Sequence, residues 1–97
     1  MKAVMIIYNQ AHTEKVEYML DKLGIRGYSL WENVQGRGSR TGVPHLATHV
    51  WPEINKGVFT MVEDEMVEKV LETVKKIDSI NEAVGIRAFV WDIQQTV

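Results

Sequence analysis

Cysteine is absent from the 97-residue chain, so neither a disulfide framework nor a thiolate metal site is available to it. No apolar run approaches the roughly 20 residues of a membrane-crossing helix, so direct insertion into a bilayer is not expected. Proline occurs twice, at Pro44 and Pro52, and no linker, repeat or low-complexity segment interrupts the chain. Neither sign of charge dominates: the formal net charge is −2, which argues against general electrostatic binding of nucleic acid. No Ser/His/Asp or Cys/His pairing occurs at catalytic spacing, and paired carboxylates fall only on what reads as a solvated helix. An enzyme is therefore not expected. What remains, 45% apolar and 25% charged residues, is the composition of an ordinary globular protein. Residues 1–97 read as a single domain, with the cytoplasm as the expected location.

The N-terminal "MKAVMIIYNQ" carries a charge and a short apolar run without a small-residue cleavage site, and reads as a first strand rather than a signal peptide. Within Lys2–Asn9, Ala3, Met5 and Ile7 alternate with Val4, Ile6 and Tyr8, so both faces are apolar. Val16, Met19, Leu20 and Leu23 then fall at helical spacing, with Thr13 placed to cap and Gly24 to terminate. Gly27–Val34 and Lys56–Val62 read as the second and third strands. "EDEMVEKVLETVKKI" is the clearest helix, with Met66, Val67, Val70, Leu71, Val74 and Ile77 in one stripe, acids in its first turn and lysines in its last. Val84–Ile93 reads as a fourth strand, in which Ile86, Ala88 and Val90 alternate with Phe89, Trp91 and Ile93.

The order strand, helix, strand, strand, helix, strand is that of an α+β, ferredoxin-like βαββαβ sandwich: a four-stranded antiparallel sheet with two helices on one face. The helices leave the other face open, yet the first and last strands are apolar on both faces. An exposed apolar face of that size calls for cover by another subunit.

Between the second and third strands lies "NVQGRGSRTGVPHLATHVWPE". Backbone N–H groups around Gly36 and Gly38, with Arg37, Ser39 and Arg40, can form an anion-binding nest. The segment matches neither the Walker pattern nor the dinucleotide fingerprint, and a solvated hairpin loop is the plainer alternative. His45 and His49 stand four apart between the prolines. On a helical turn starting at Pro44 they would share a face and could ligate one divalent metal with Glu53 and His12; on a strand they would stand roughly 13 Å apart. Exposed or hydrogen-bonded loop histidines are the alternative. Trp31 and Trp91 read as core or interface residues, whereas Trp51 beside Pro52 can anchor a protein partner.

"GYSLWENVQGRG", "MVEDEMVEKVLETV" and "AFVWDI" stand in the order and spacing of corresponding segments of the PII signalling proteins, and nearly the whole chain resembles that family. The resemblance implies a homotrimer with sheets facing inward, and clefts between subunits that hold ATP, ADP or AMP. It also implies a mobile T-loop, here about residues 36–54, that docks onto a membrane transporter or metabolic enzyme. By correspondence, Ser29 takes the place of the family's second-strand Thr, and Gly36 and Gly38 stand at the loop entrance. Ser39 and Arg40 follow in the family's Arg-Gln-Lys stretch. Val84, Gly85, Ile86 and Arg87 occupy its Gly-Asp-Gly-Lys turn, with one glycine kept and Arg in place of Lys. The alternative role is that of the CutA-like divalent-cation tolerance proteins, which share the fold.

Overall fold

Two-sided apolar alternation and β-branched content make Lys2–Asn9 the strand β1. The computed structural model describes residues 1–37, 44–45, 54–80 and 84–97. After β1 come a 3₁₀ turn at Gln10–His12 and α1 at Thr13–Lys22. They are followed by β2 (Tyr28–Val34), β3 (Gly36–Arg37), β4 (Pro44–His45) and β5 (Asn55–Val62). A 3₁₀ turn at Asp64–Met66, α2 (Val67–Ile80) and β6 (Ile86–Asp92) complete the order. The main sheet has four antiparallel strands in the order β2-β5-β1-β6, and the two helices complete the ferredoxin-like βαββαβ arrangement. β3 and β4 pair separately as a two-stranded ribbon.

One face of the sheet carries the core. Val4, Ile6 and Tyr8 of β1 and Val58 and Val62 of β5 bury against Val16, Met19 and Leu20 of α1 and Val70, Val74 and Ile77 of α2. Met66 and Val67 pack at its margin, while Leu71 stays exposed, so the apolar stripe of the second helix is narrower than its periodicity predicts. Burial among these residues pushes the Tyr8 hydroxyl up to about 12. The buried Thr60 hydroxyl donates to the Gly27 carbonyl and ties β5 to the entry of β2.

The helix ends depart from expectation at one point each. α1 starts behind a 3₁₀ turn, and Asn9 is the capping side chain, accepting from Ala11 N at 2.9 Å. Thr13 instead donates to the Gln10 carbonyl at 2.6 Å from inside the first turn of α1. Its other end follows the sequence: Gly24 takes φ 73°, Gly24 N donates to Asp21 O and Ile25 N to Leu20 O, which is a Schellman closure. α2 runs on to Ile80, so its lysines lie in the body of the helix rather than in its last turn.

Candidate ligand site at the sheet edges

The opposite sheet face is open. Trp31, Phe59 and Trp91 stand there in a row, with ring centroids 6.5 Å apart for Trp31–Phe59 and 5.8 Å for Phe59–Trp91. Phe59 and Trp91 belong to strands separated by β1, and small Ala3, opposite Trp91 in register, lets the rings meet over it. Met61 and Phe89 are exposed beside them.

β2 leads into the loop through a bulge. Trp31 pairs with Gly57, and the next pair is Val34 with Asn55, so β2 spends one residue more than β5. Asn33 absorbs it at φ 57°, the left-handed region that asparagine tolerates best among non-glycine residues. The extra residue changes the alternation, so Val34 joins Trp31 on one face. Both lie over Gly57, at 3.7 Å and 4.0 Å from where a Cβ there would stand. Beyond the bulge, Gly36 pairs with His45 and Arg37 with Pro44, so the segment leaves the sheet as a ribbon. It returns at Ile54, whose carbonyl accepts from Gln10 N at 2.8 Å.

Of the two readings open for Pro44, a helical turn or an extended strand, His45 lies on the strand. His12 as a metal ligand is corrected: it is buried, and its Nε2 stands 2.8 Å from the Val84 carbonyl, so that nitrogen is engaged. Among the described residues no three His, Asp or Glu side chains cluster as a metal site. Gly38, Ser39, Arg40, His49, Trp51 and Glu53 lie outside the described residues.

The other expected ligand residues fall on two edges. Ser29 lies exposed on β2, in register with Phe59. Gly85 precedes β6, and its carbonyl accepts from Asn9 N at 2.9 Å. Arg87 stands on β6; its Nη1 donates to the Ile86 carbonyl at 2.8 Å and lies 3.4 Å from Asp78 Oδ1 of α2. That ion pair is half-open to water, so it holds the guanidinium only weakly and an incoming anion can compete for it. β2 and β6 are opposite edges of the sheet. Three interstrand steps separate them by roughly 14 Å, so one chain does not bring Ser29 and Arg87 to one small ligand.

Sequence reasoning missed the Asn9–His12 turn. The signal was the polar run "NQAH" between an apolar strand and an amphipathic helix. The sequence reading ends the first strand at Asn9 and offers His12 as a further metal ligand, whereas Asn9 and His12 are buried and hydrogen-bonded.

No curated protein matches the chain. Among solved structures, CPII, a nitrogen regulatory PII-like protein from Thiomonas intermedia K12, is similar in two forms bound to ADP, AMP and bicarbonate. One superposes with a TM-score of 0.78 at 29% identity, over 95% of this chain and 84% of that one. The other has a TM-score of 0.76 at 30% identity, over 98% and 93%. A PII-like signalling protein from Thermus thermophilus shares the fold, with a TM-score of 0.67 at 23% identity, over 93% and 83%. The family model for Nitrogen regulatory protein P-II matches residues 1–97. Proteins of that family are signal transducers rather than enzymes, form trimers, and regulate enzymes and transporters. With the fold, the loop position and the full-length match in agreement, the chain belongs to the nitrogen regulatory protein P-II family.

Proposed function

We propose that this chain is a trimeric PII-like regulator whose clefts between subunits take a small anionic effector, with ADP or AMP as the first candidates. Residues 36–54 act as the docking loop, and the occupied cleft sets the state in which that loop meets a membrane transporter or metabolic enzyme. The observation that carries this reading is the placement of the ligand residues on opposite sheet edges. A subunit boundary is the place where the β2 edge of one copy can meet the β6 edge of the next. Ser29, the backbone of Gly36 to Ser39, and Arg37 then come from one chain, with Gly85 and Arg87 from its neighbour. The guanidinium groups of Arg37, Arg40 and Arg87 provide charge-assisted hydrogen bonds to phosphate. Binding of ADP, AMP and bicarbonate by the Thiomonas protein supports the same ligand class, and adds bicarbonate as a second effector to test. Trp51 serves as the loop's anchor on the partner.

Calorimetry with ATP, ADP, AMP and cyclic AMP, each with and without bicarbonate, tests the proposal. Saturable heat with at least one adenine nucleotide is expected. No heat from any of them at millimolar concentration would refute the nucleotide reading.

A further inference from the structure

Three hydrogen bonds leave one short turn for two distant segments. Asn9 N donates to Gly85 O at 2.9 Å, Gln10 N donates to Ile54 O at 2.8 Å, and His12 Nε2 meets Val84 O at 2.8 Å. A carbonyl oxygen only accepts, so Nε2 carries the proton in that contact. Asn9 Oδ1 holds the turn from inside by accepting from Ala11 N, and the Thr13 hydroxyl holds Gln10 O. Asn9 and His12 are 7% and 3% exposed, so water does not replace these bonds cheaply. Ile54 is where the docking segment re-enters the sheet; Val84 and Gly85 immediately precede Ile86 and Arg87.

We propose that Asn9–His12 is a clamp that holds the loop exit and the ligand turn as one unit, with His12 as its positioning residue. The inference rests on the proposed cleft and deepens it, by naming what connects the cleft to the loop. The two backbone bonds continue the ladders of β1 with β6 and β5. The His12 contact does not: it is a side chain reaching across 72 positions of sequence to fix the carbonyl just before Gly85. Without it, Val84 and Gly85 are held from the β1 side by the Asn9 amide alone among the described contacts. A shift of that turn moves Arg87, and the same shift pulls on the Asn9–Gln10 backbone that grips Ile54.

The experiment compares the full chain with His12→Phe, which keeps the aromatic volume and loses the donor, and His12→Gln, whose amide nitrogen can donate from nearly the same place. Hydrogen exchange of the unliganded protein is read at the Asn9 and Gln10 amides, with Val70 of α2 as an internal control. Exchange at Asn9 and Gln10 is expected to speed up in His12→Phe with Val70 unchanged, and to return towards wild type in His12→Gln. Calorimetry with ADP is expected to show affinity weaker by up to about tenfold in His12→Phe, because ADP must then also order the loosened turn, and largely restored in His12→Gln. Unchanged exchange in His12→Phe overturns the clamp. So does a His12→Gln variant that behaves like His12→Phe, or an undiminished ADP affinity in a His12→Phe protein whose wild type binds ADP. Should the wild type bind no adenine nucleotide, the proposed ligand falls, and the exchange comparison alone decides the clamp.

Discussion

Replacing Trp91 by glutamate should take the assembly apart. On the open sheet face Trp91 is 47% exposed in a single chain, Trp31 50%, Phe89 53% and Met61 44%. An aromatic side chain carries 150–250 Å² of surface, so roughly 100 Å² of each ring remains to be covered by a neighbour. At about 25 cal/mol per Å², covering one such ring is worth about 2.5 kcal/mol per subunit, and about 7 kcal/mol for the three copies in a trimer. Glutamate forfeits that contribution and adds a carboxylate that the closed interface would have to desolvate. Seven kilocalories correspond to roughly five orders of magnitude in an association constant, enough to move a micromolar sample from trimer to monomer. Light scattering checks this directly: wild type at about three times the chain mass, Trp91→Glu at one. Tyr18→Glu is the control, because Tyr18 is an exposed aromatic on α1, away from the open sheet face, and the trimer should survive it. A wild-type monomer at micromolar concentration, or a Trp91→Glu trimer as stable as wild type, would refute assembly through this face.

Arg87→Ala should weaken adenine nucleotide binding about ten- to a hundredfold in calorimetry, since one charge-assisted hydrogen bond contributes roughly 1.5–3 kcal/mol. Asp78→Asn, which removes the competing partner of Arg87, should leave affinity equal or raise it. Asn33→Gly should keep its stability in urea titration, whereas Asn33→Val should lose about 1–2 kcal/mol, because a β-branched residue is forced into the left-handed region. Tyr8 sets an alkaline limit. With its hydroxyl raised from 10.0 to about 12 in the folded chain, the unfolded chain gives up that proton first, so stability is full below pH 10 and falls as pH rises towards 12. Tyr8→Phe should flatten that fall in denaturant titrations between pH 8 and 11.

The strands were legible because burial leaves a period in the sequence. β1 has the bounds that its two-sided alternation predicts, and the same alternation in β1 and the last strand pointed to an apolar open face, which Phe89 and Trp91 provide. Gly24 marked the end of α1 because the Schellman closure needs a positive φ that glycine adopts freely. Features without a period were not legible. The bulge before the loop costs one residue and is signalled only by Asn33, a residue equally at home in many turns. The cap of α1 was placed at Thr13 because nothing in "NQAH" announces a 3₁₀ turn, and the burial of His12 depends on a carbonyl 72 positions away. Pro44–His45 stayed open between a helical turn and a strand for a related reason. Proline is tolerated both at the first position of a helix and on a short edge strand, and pairing with Gly36–Arg37 decided between them.

In the proposed cleft, strand order makes ligand binding and assembly one equilibrium. The proposed contacts lie on β2 and on β6, and the sequence of strands puts β5 and β1 between them in every copy. A site that needs both edges exists only where two copies meet, so a nucleotide bound there is bound to the assembled state and to no other. By linkage, a ligand at a hundred times its dissociation constant then adds about 2.7 kcal/mol per site to the trimer, which for three sites offsets the loss of one partly covered ring in each subunit. Phe89→Ala, a milder cut into the same face than Trp91→Glu, should therefore dissociate at low micromolar concentration and reassemble when ADP is added, with sedimentation velocity following the change. The same variant held in its monomeric range should take up ADP only as trimer returns. Tight, saturable ADP binding by a protein that stays monomeric would place the whole site within one chain, and would leave the separation of Ser29 from Arg87 without functional meaning.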